Sequence, residues 1–128
     1  IVKFEHHSFP LDLAALNAEI IVRCHLDNNK SFQLLSEIYK KQSEWAVGSD
    51  INIINESIKK IGLDSGLDNN KMDRCLNDET AQEKILNERI EAQKKYKIES
   101  TPTIYINKKQ YKDKHKYKQF KKAIEKLL

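Results

Sequence analysis

The sequence predicts an α/β or α+β domain in which a large helical block is enclosed between strand-forming ends. Two observations carry this reading. Apolar residues recur at helical spacing from about residue 11 to residue 97, whereas short runs rich in β-branched and aromatic residues stand near both termini. No internal repeat, low-complexity tract or long linker interrupts the 128 residues, so the pattern reads as one continuous unit.

The elements follow in order. "VKFEHHSF" alternates loosely, with Val2 and Phe4 on one side, and ends at Pro10, which predicts a strand. "PLDLAALNAEIIVRCHL" places Leu11, Ala14, Ala15, Ala18, Ile21, Val22 and His25 on one helical stripe, with Cys24 beside it. "DNNK" breaks that pattern, and Ser31 is the expected N-cap of a second helix. The inner side of that helix should carry Phe32, Leu35, Ile38, Tyr39, Gln42 and Trp45. Asp50 can cap a third helix striped by Ile51, Ile54, Ile58 and Ile61, with Gly62 as its expected stop. A short polar helix buries Met72, Cys75 and Leu76. A long charged helix follows, with Ala81, Ile85, Arg89, Ala92 and Tyr96 on one face and Leu86 and Ile90 beside it. "TIYIN" after Pro102 is the best strand in the chain, and "KKQYK" can return antiparallel to it. A last helix presents Tyr117, Phe120, Ala123, Ile124 and Leu127 on one face.

Charge is unevenly spread. The formal net charge is +4, yet residues 94–128 hold twelve lysines and three acids, while the remainder is acidic on balance. A basic end invites a nucleic-acid or anionic-membrane partner. Against that, the chain favours Lys, Asn and Ile throughout, and its lysines alternate with core-type residues, so the series from Lys108 to Lys122 reads as a solvated face and no nucleic-acid partner is expected. The densest apolar run, "LAALNAEIIV", is broken by Asn17 and Glu19 and is too short to span a bilayer.

Candidate chemistry is sparse. Cys24 and Cys75 are far apart and belong to no C-x-x-C, so inert thiols, a structural disulfide and an assembled redox pair all remain open at this level. His6 and His7 are adjacent, so on a strand they face opposite sides and cannot form a ligand pair. His25 and His115 read as surface or packing residues, and neither a metal site nor a cofactor is expected.

Four stretches resemble the DsbA-like thiol–disulfide oxidoreductase family, a thioredoxin fold with a helical insertion. "HHSFPLD" with "AALNAEIIVRC" is similar to the strand after that family's active-site helix and the first helix of its insertion. "QSEW" falls where the insertion often holds an aromatic, and "MDRCLND" resembles its Cys-Leu helix. "YKIESTPTIYIN" resembles the Gly-Val-x-Gly-Thr-Pro-Thr-Phe segment, with Lys97 and Ser100 replacing the bend glycines.

This resemblance implies a thioredoxin-like α/β fold with residues 1–10 and 98–128 in the thioredoxin part and 11–97 in an all-helical insertion. It implies a cis Thr101–Pro102 bond, with Ser100, Thr101 and Pro102 aligning an extended cysteine-containing protein substrate strand to strand. It implies a structural disulfide between Cys24 and Cys75, and hence a periplasmic or otherwise exported bacterial location. A membrane redox partner is a further implied candidate. The family's catalytic C-x-x-C is missing here, and so is the strand that precedes it. The resemblance places both before Ile1, so the chain is expected to be a piece of a longer protein and not to exchange dithiols alone. Two other readings stand beside this one: a redox-inactive binding or chaperone-like domain, and a basic nucleic-acid-binding module.

Overall fold

The computed structural model of the chain describes residues 2–128. The helices are α1 (Leu13–Arg23), α2 (Asn28–Lys40), α3 (Gln42–Trp45), α4 (Ile51–Asp64), α5 (Asn69–Leu76), α6 (Glu79–Tyr96) and α7 (Tyr117–Glu125). Strands β1 (Tyr105–Ile106) and β2 (Lys109–Gln110) lie between α6 and α7. The chain divides into two units, the first ending at Glu91 and the second running from Ala92 to Leu128.

Aspartates start most of the helices. Asp12, Asp27, Asp50 and Asp68 stand immediately before α1, α2, α4 and α5, and each accepts a hydrogen bond from a first-turn amide (Ala15, Lys30, Asn52 and Asn70) at 2.8–3.4 Å. Asp78 does the same for α6, accepting from Ala81 N at 3.2 Å. A carboxylate there satisfies an otherwise unpaired N–H and opposes the positive end of the helix dipole. Ser31 is therefore not the cap of the second helix. Asp27 is, and "NNK" joins the helix, while the Ser31 hydroxyl donates to the Val22 carbonyl at 2.9 Å.

In the first unit α1 packs against α2, α4 and α5. Its Ile21 meets Leu34 and Ile38 of α2, Trp45 of α3, Ile54, Ile58 and Ile61 of α4, and Met72 of α5 in one buried cluster. A second cluster joins Leu16 and Ile20 to Ile85 of α6. The Ile51–Ile61 stripe of α4 lies on the core side as its spacing requires. The α2 stripe does so only in part: Ile38 and Trp45 are buried and Leu35 packs on the core. Leu34 is fully buried, whereas Phe32 and Tyr39 are more than half exposed and Gln42 faces out. The chain breaks at Lys41 and restarts as α3, which lets Trp45 turn inward and donate its indole N–H to the Ile38 carbonyl at 2.8 Å.

Gly62 is also not a stop, because α4 continues to Asp64 and turns at Gly66, whose φ is +97°. Gly62 is buried, and a Cβ there would stand 2.5 Å from Met72 Sδ and 3.3 Å from Ile21 Cγ2. The glycine is required by packing, not by backbone conformation.

Two buried polar residues are partnered. Asn17 donates to Asn55 at 3.0 Å, joining α1 to α4. Lys59 pairs with Asp73 at 2.7 Å and Glu56 at 3.4 Å, joining α4 to α5.

The expected first strand is not formed. Residues 2–10 make no ladder with any described segment, and Ile1 lies outside the described residues. A strand exists only where a neighbour receives its backbone bonds, and none runs beside this segment. The segment is held by side chains instead. Phe4 meets Phe32 edge-on with centroids 6.2 Å apart, and Phe9 lies 5.0 Å beneath the Arg89 guanidinium.

In the second unit, β1 and β2 form a hairpin that pairs Tyr105 with Gln110 and Ile106 with Lys109. Asn107 and Lys108 turn it with φ of 50° and 69°, both in the left-handed region that a two-residue hairpin turn demands. Tyr111 packs on Phe120 at 4.7 Å, fixing the hairpin to the inner side of α7. Tyr117 and Leu127, expected on that inner side, are instead 80% and 56% exposed.

Candidate functional site

The segment from Lys97 to Ile106 is the candidate site. Helix α6 ends at Tyr96, and Lys97 closes it with a positive φ of 48° and an amide donated to the Gln93 carbonyl at 3.0 Å. The chain then runs through Ser100, Thr101 and Pro102, all exposed. The Thr101–Pro102 peptide bond is cis. The Thr103 hydroxyl reaches back to the Ser100 carbonyl and clasps the bend.

Two tyrosines set where the segment re-enters the fold. The Tyr105 ring lies 4.8 Å from that of Tyr96, and its hydroxyl donates to the Tyr96 carbonyl at 2.8 Å. Bend and strand are thereby tied to the end of α6. Sequence reasoning missed this contact, although a tyrosine at each end of the segment was the visible signal.

Backbone accounting defines what the site can do. Tyr111 N donates to Ile104 O at 2.8 Å, so Ile104 turns its polar groups toward β2. Alternation along a strand directs those of Thr103 and Tyr105 to the opposite edge. Among the described residues nothing pairs with that edge, and residues 98–103 make no backbone–backbone hydrogen bond. Pro102 carries no N–H at all. The outcome is a short, half-buried edge whose donors and acceptors have no backbone partner among the described residues.

The cysteines lie elsewhere. Cys24 follows α1 and Cys75 sits in α5, and they form a disulfide with Cα atoms 6.1 Å apart. Cys24 is 3% exposed, and among the described residues no cysteine is free. The bond links two helices of the first unit and offers no thiolate. Ser100, Thr101 and Pro102 therefore belong to the second unit and the disulfide to the first.

The histidines bring no catalytic group together. His6 Nε2 lies 3.0 Å from the Tyr39 hydroxyl, and burial holds its imidazole below the ordinary value, with the Glu19 charge opposing. The same burial raises the Tyr39 hydroxyl. His6 borders a groove of about 320 Å³ with Phe4, Phe32 and Arg23. Arg23 is committed to Glu19 at 2.8 Å and Glu88 at 2.7 Å; burial works against its charge, but these two hydrogen bonds outweigh it and raise the group. His25 Nε2 meets Ser65 Oγ at 2.9 Å, its value lowered by burial first and by Lys30 and Lys71 next. Among the described residues no cluster of His, Cys, Asp or Glu could hold a metal ion, and no helix is long and apolar enough to cross a membrane.

The comparisons bear on the whole chain. A thioredoxin family model matches residues 1–126. The crystal structure of α-DsbA1 from Wolbachia pipientis is similar with a TM-score of 0.79 at 25% sequence identity, over 93% of this chain. The chain spans 64% of the length of that structure. No curated protein matches it.

Proposed function

We propose, from the premise that the chain belongs to the thioredoxin family and has a DsbA-like thioredoxin fold, that it is the substrate-aligning portion of a thiol–disulfide oxidoreductase. The observation that carries this reading is the exposed Ser100–Thr101–Pro102 bend in the stretch 98–103, which makes no backbone–backbone hydrogen bond. An extended cysteine-containing protein pairs its backbone there, with Ser100, Thr101 and Pro102 setting its direction. Disulfide exchange needs a thiolate to attack a disulfide sulfur. Both cysteine sulfurs of this chain are bonded to each other and belong to no C-x-x-C, so on this reading these 128 residues do not themselves supply the reacting dithiol.

The same disulfide supports an oxidising, exported location, since such bonds persist where thiols are not kept reduced. A membrane redox partner would restore the oxidised dithiol after each turnover. Residues 11–97 are the inserted helical part on this reading, and residues 1–10 and 98–128 the thioredoxin part.

One observation favours a second reading. The described residues hold no free thiol, which suits a redox-inactive domain that binds extended chains without reacting. Two measurements separate the readings. The full-length protein should oxidise a reduced dithiol peptide, whereas the 128-residue chain should bind the peptide without oxidising it. Methylating alternate backbone amides of the peptide should weaken binding about tenfold by removing edge hydrogen bonds. Peptide binding by a full-length protein that leaves the dithiol reduced establishes the binding domain; unchanged affinity of the methylated peptide overturns the edge in both readings.

A further inference from the structure

We propose that the lysine-rich face of the second unit docks on an anionic phospholipid surface. Residues 94–128 contain twelve lysines, three acids and no arginine. Among the described residues of this unit one lysine–carboxylate pair lies within ion-pair distance, Lys121 with Glu125 at 4.0 Å. The unit's three acids offset only part of the charge of its twelve lysines. Helix α7 concentrates it, because Lys118, Lys121 and Lys122 recur at helical spacing and all three are exposed. Phe120, Ala123 and Ile124 on the other side are half-buried, so the helix has a fixed outward face.

Two features select a bilayer over a nucleic acid. Ammonium groups act as point charges toward a diffuse array of headgroups, whereas base-edge and forked phosphate recognition uses arginine, which this unit lacks. Apolar side chains at the two ends of α7 are also exposed, with Tyr117 80%, Leu127 56% and Leu128 78% accessible. A solvated face has no use for them. At a bilayer they enter the headgroup boundary while the lysines stay with the phosphates, which combines the two signals that reversible membrane attachment needs.

Vesicle sedimentation of the full chain tests this, using phosphatidylcholine alone and phosphatidylcholine with one-third phosphatidylglycerol. The chain should pellet with the anionic vesicles only and be released as salt rises from 20 to 500 mM. K118E/K121E/K122E should weaken binding by about a hundredfold. L127S/L128S should weaken it less at low salt and make it more salt-sensitive. Circular dichroism melts of both variants should match the parent, since every altered side chain is exposed. Failure to pellet with anionic vesicles, equal binding to neutral ones, or tighter binding to a 20-base-pair duplex than to anionic vesicles at equal salt would overturn the proposal.

Discussion

Arg89 donates from Nη1 to the carbonyl of Pro10 at 2.6 Å, across a sequence separation of 79 residues. The same guanidinium lies 5.0 Å from the centroid of the Phe9 ring. One α6 side chain thereby holds a segment that forms no ladder. A charge-assisted hydrogen bond and a cation–π contact together contribute about 2 kcal/mol in a half-buried setting. Arg89→Ala should lower the urea midpoint accordingly and expose residues 2–10 to proteolysis. Arg89→Lys should restore part of the stability, because it keeps the charge but loses the planar fork. Unchanged proteolysis in Arg89→Ala would show that the segment is held by something else.

The Cys24–Cys75 bond closes a loop of 51 residues. The chain-entropy account assigns such a loop roughly 4 kcal/mol. Cys24→Ala/Cys75→Ala should therefore melt well below the parent in non-reducing buffer. The difference should vanish in buffer that reduces the parent's bond. A double variant as stable as the oxidised parent would refute the stabilising role.

Gly62→Ala reverses the ordinary rule for helices. At an exposed helical position the change stabilises by about 1 kcal/mol. Here the new methyl meets Met72 Sδ and Ile21 Cγ2, and both of those residues are fully buried. Overpacking should cost about 1–3 kcal/mol net. Combining it with Met72→Ala should give a non-additive result, since the smaller side chain makes the room the methyl needs. Additive free energies from chemical denaturation would count against this contact.

Lys59 gives the alkaline limb of stability a specific origin. Its amine is raised above the ordinary value of 10.5, chiefly by the hydrogen bond to Asp73, with burial opposing and Glu56 adding. A group whose value is raised on folding stabilises the protein at every pH below the unfolded value. That contribution is lost as pH climbs past 10.5 and through the folded value. Lys59→Met should thus show a smaller loss of stability than the parent between pH 9 and pH 12. Parallel curves for the two proteins would remove Lys59 from the account.

Much of the helical block was legible because a helix closes its own hydrogen bonds within four residues. The α4 stripe and the Asp50 cap depend on nothing farther away and stand as their spacing requires. In α1, Ala18, Ile21 and Val22 are buried as expected, whereas Leu11 precedes the helix and is exposed, and Leu16 and Ile20 join the core. Errors arose where a local signal had several outcomes. Asp27 and Ser31 are both good caps, and the earlier one leads. Gly62 has the composition of a stop, but Met72 ten residues on gives it a different role. Phe32, Tyr39 and Trp45 fit one helical stripe, yet the helix breaks at Lys41, and only Trp45 of the three is buried.

The site divides in the same way. "ESTPTIYIN" announces its bend through Pro102 and its strand through alternating Thr, Ile and Tyr, and the structure has a bend and a hairpin strand there. Which edge stays open could not be read from sequence alone, because it depends on Tyr111 bonding Ile104 and on the docking of Tyr105 against Tyr96.

By itself, the sequence determined the order of helices, the Asp50 start, the hairpin and the basic second unit, all consequences of interactions spanning a few residues. Tertiary structure decided that Cys24 meets Cys75, that residues 2–10 form no strand and that Thr103 and Tyr105 keep an unpaired edge. Each of these depends on a partner brought from a distant position, and periodicity along one segment carries no information about which partner arrives.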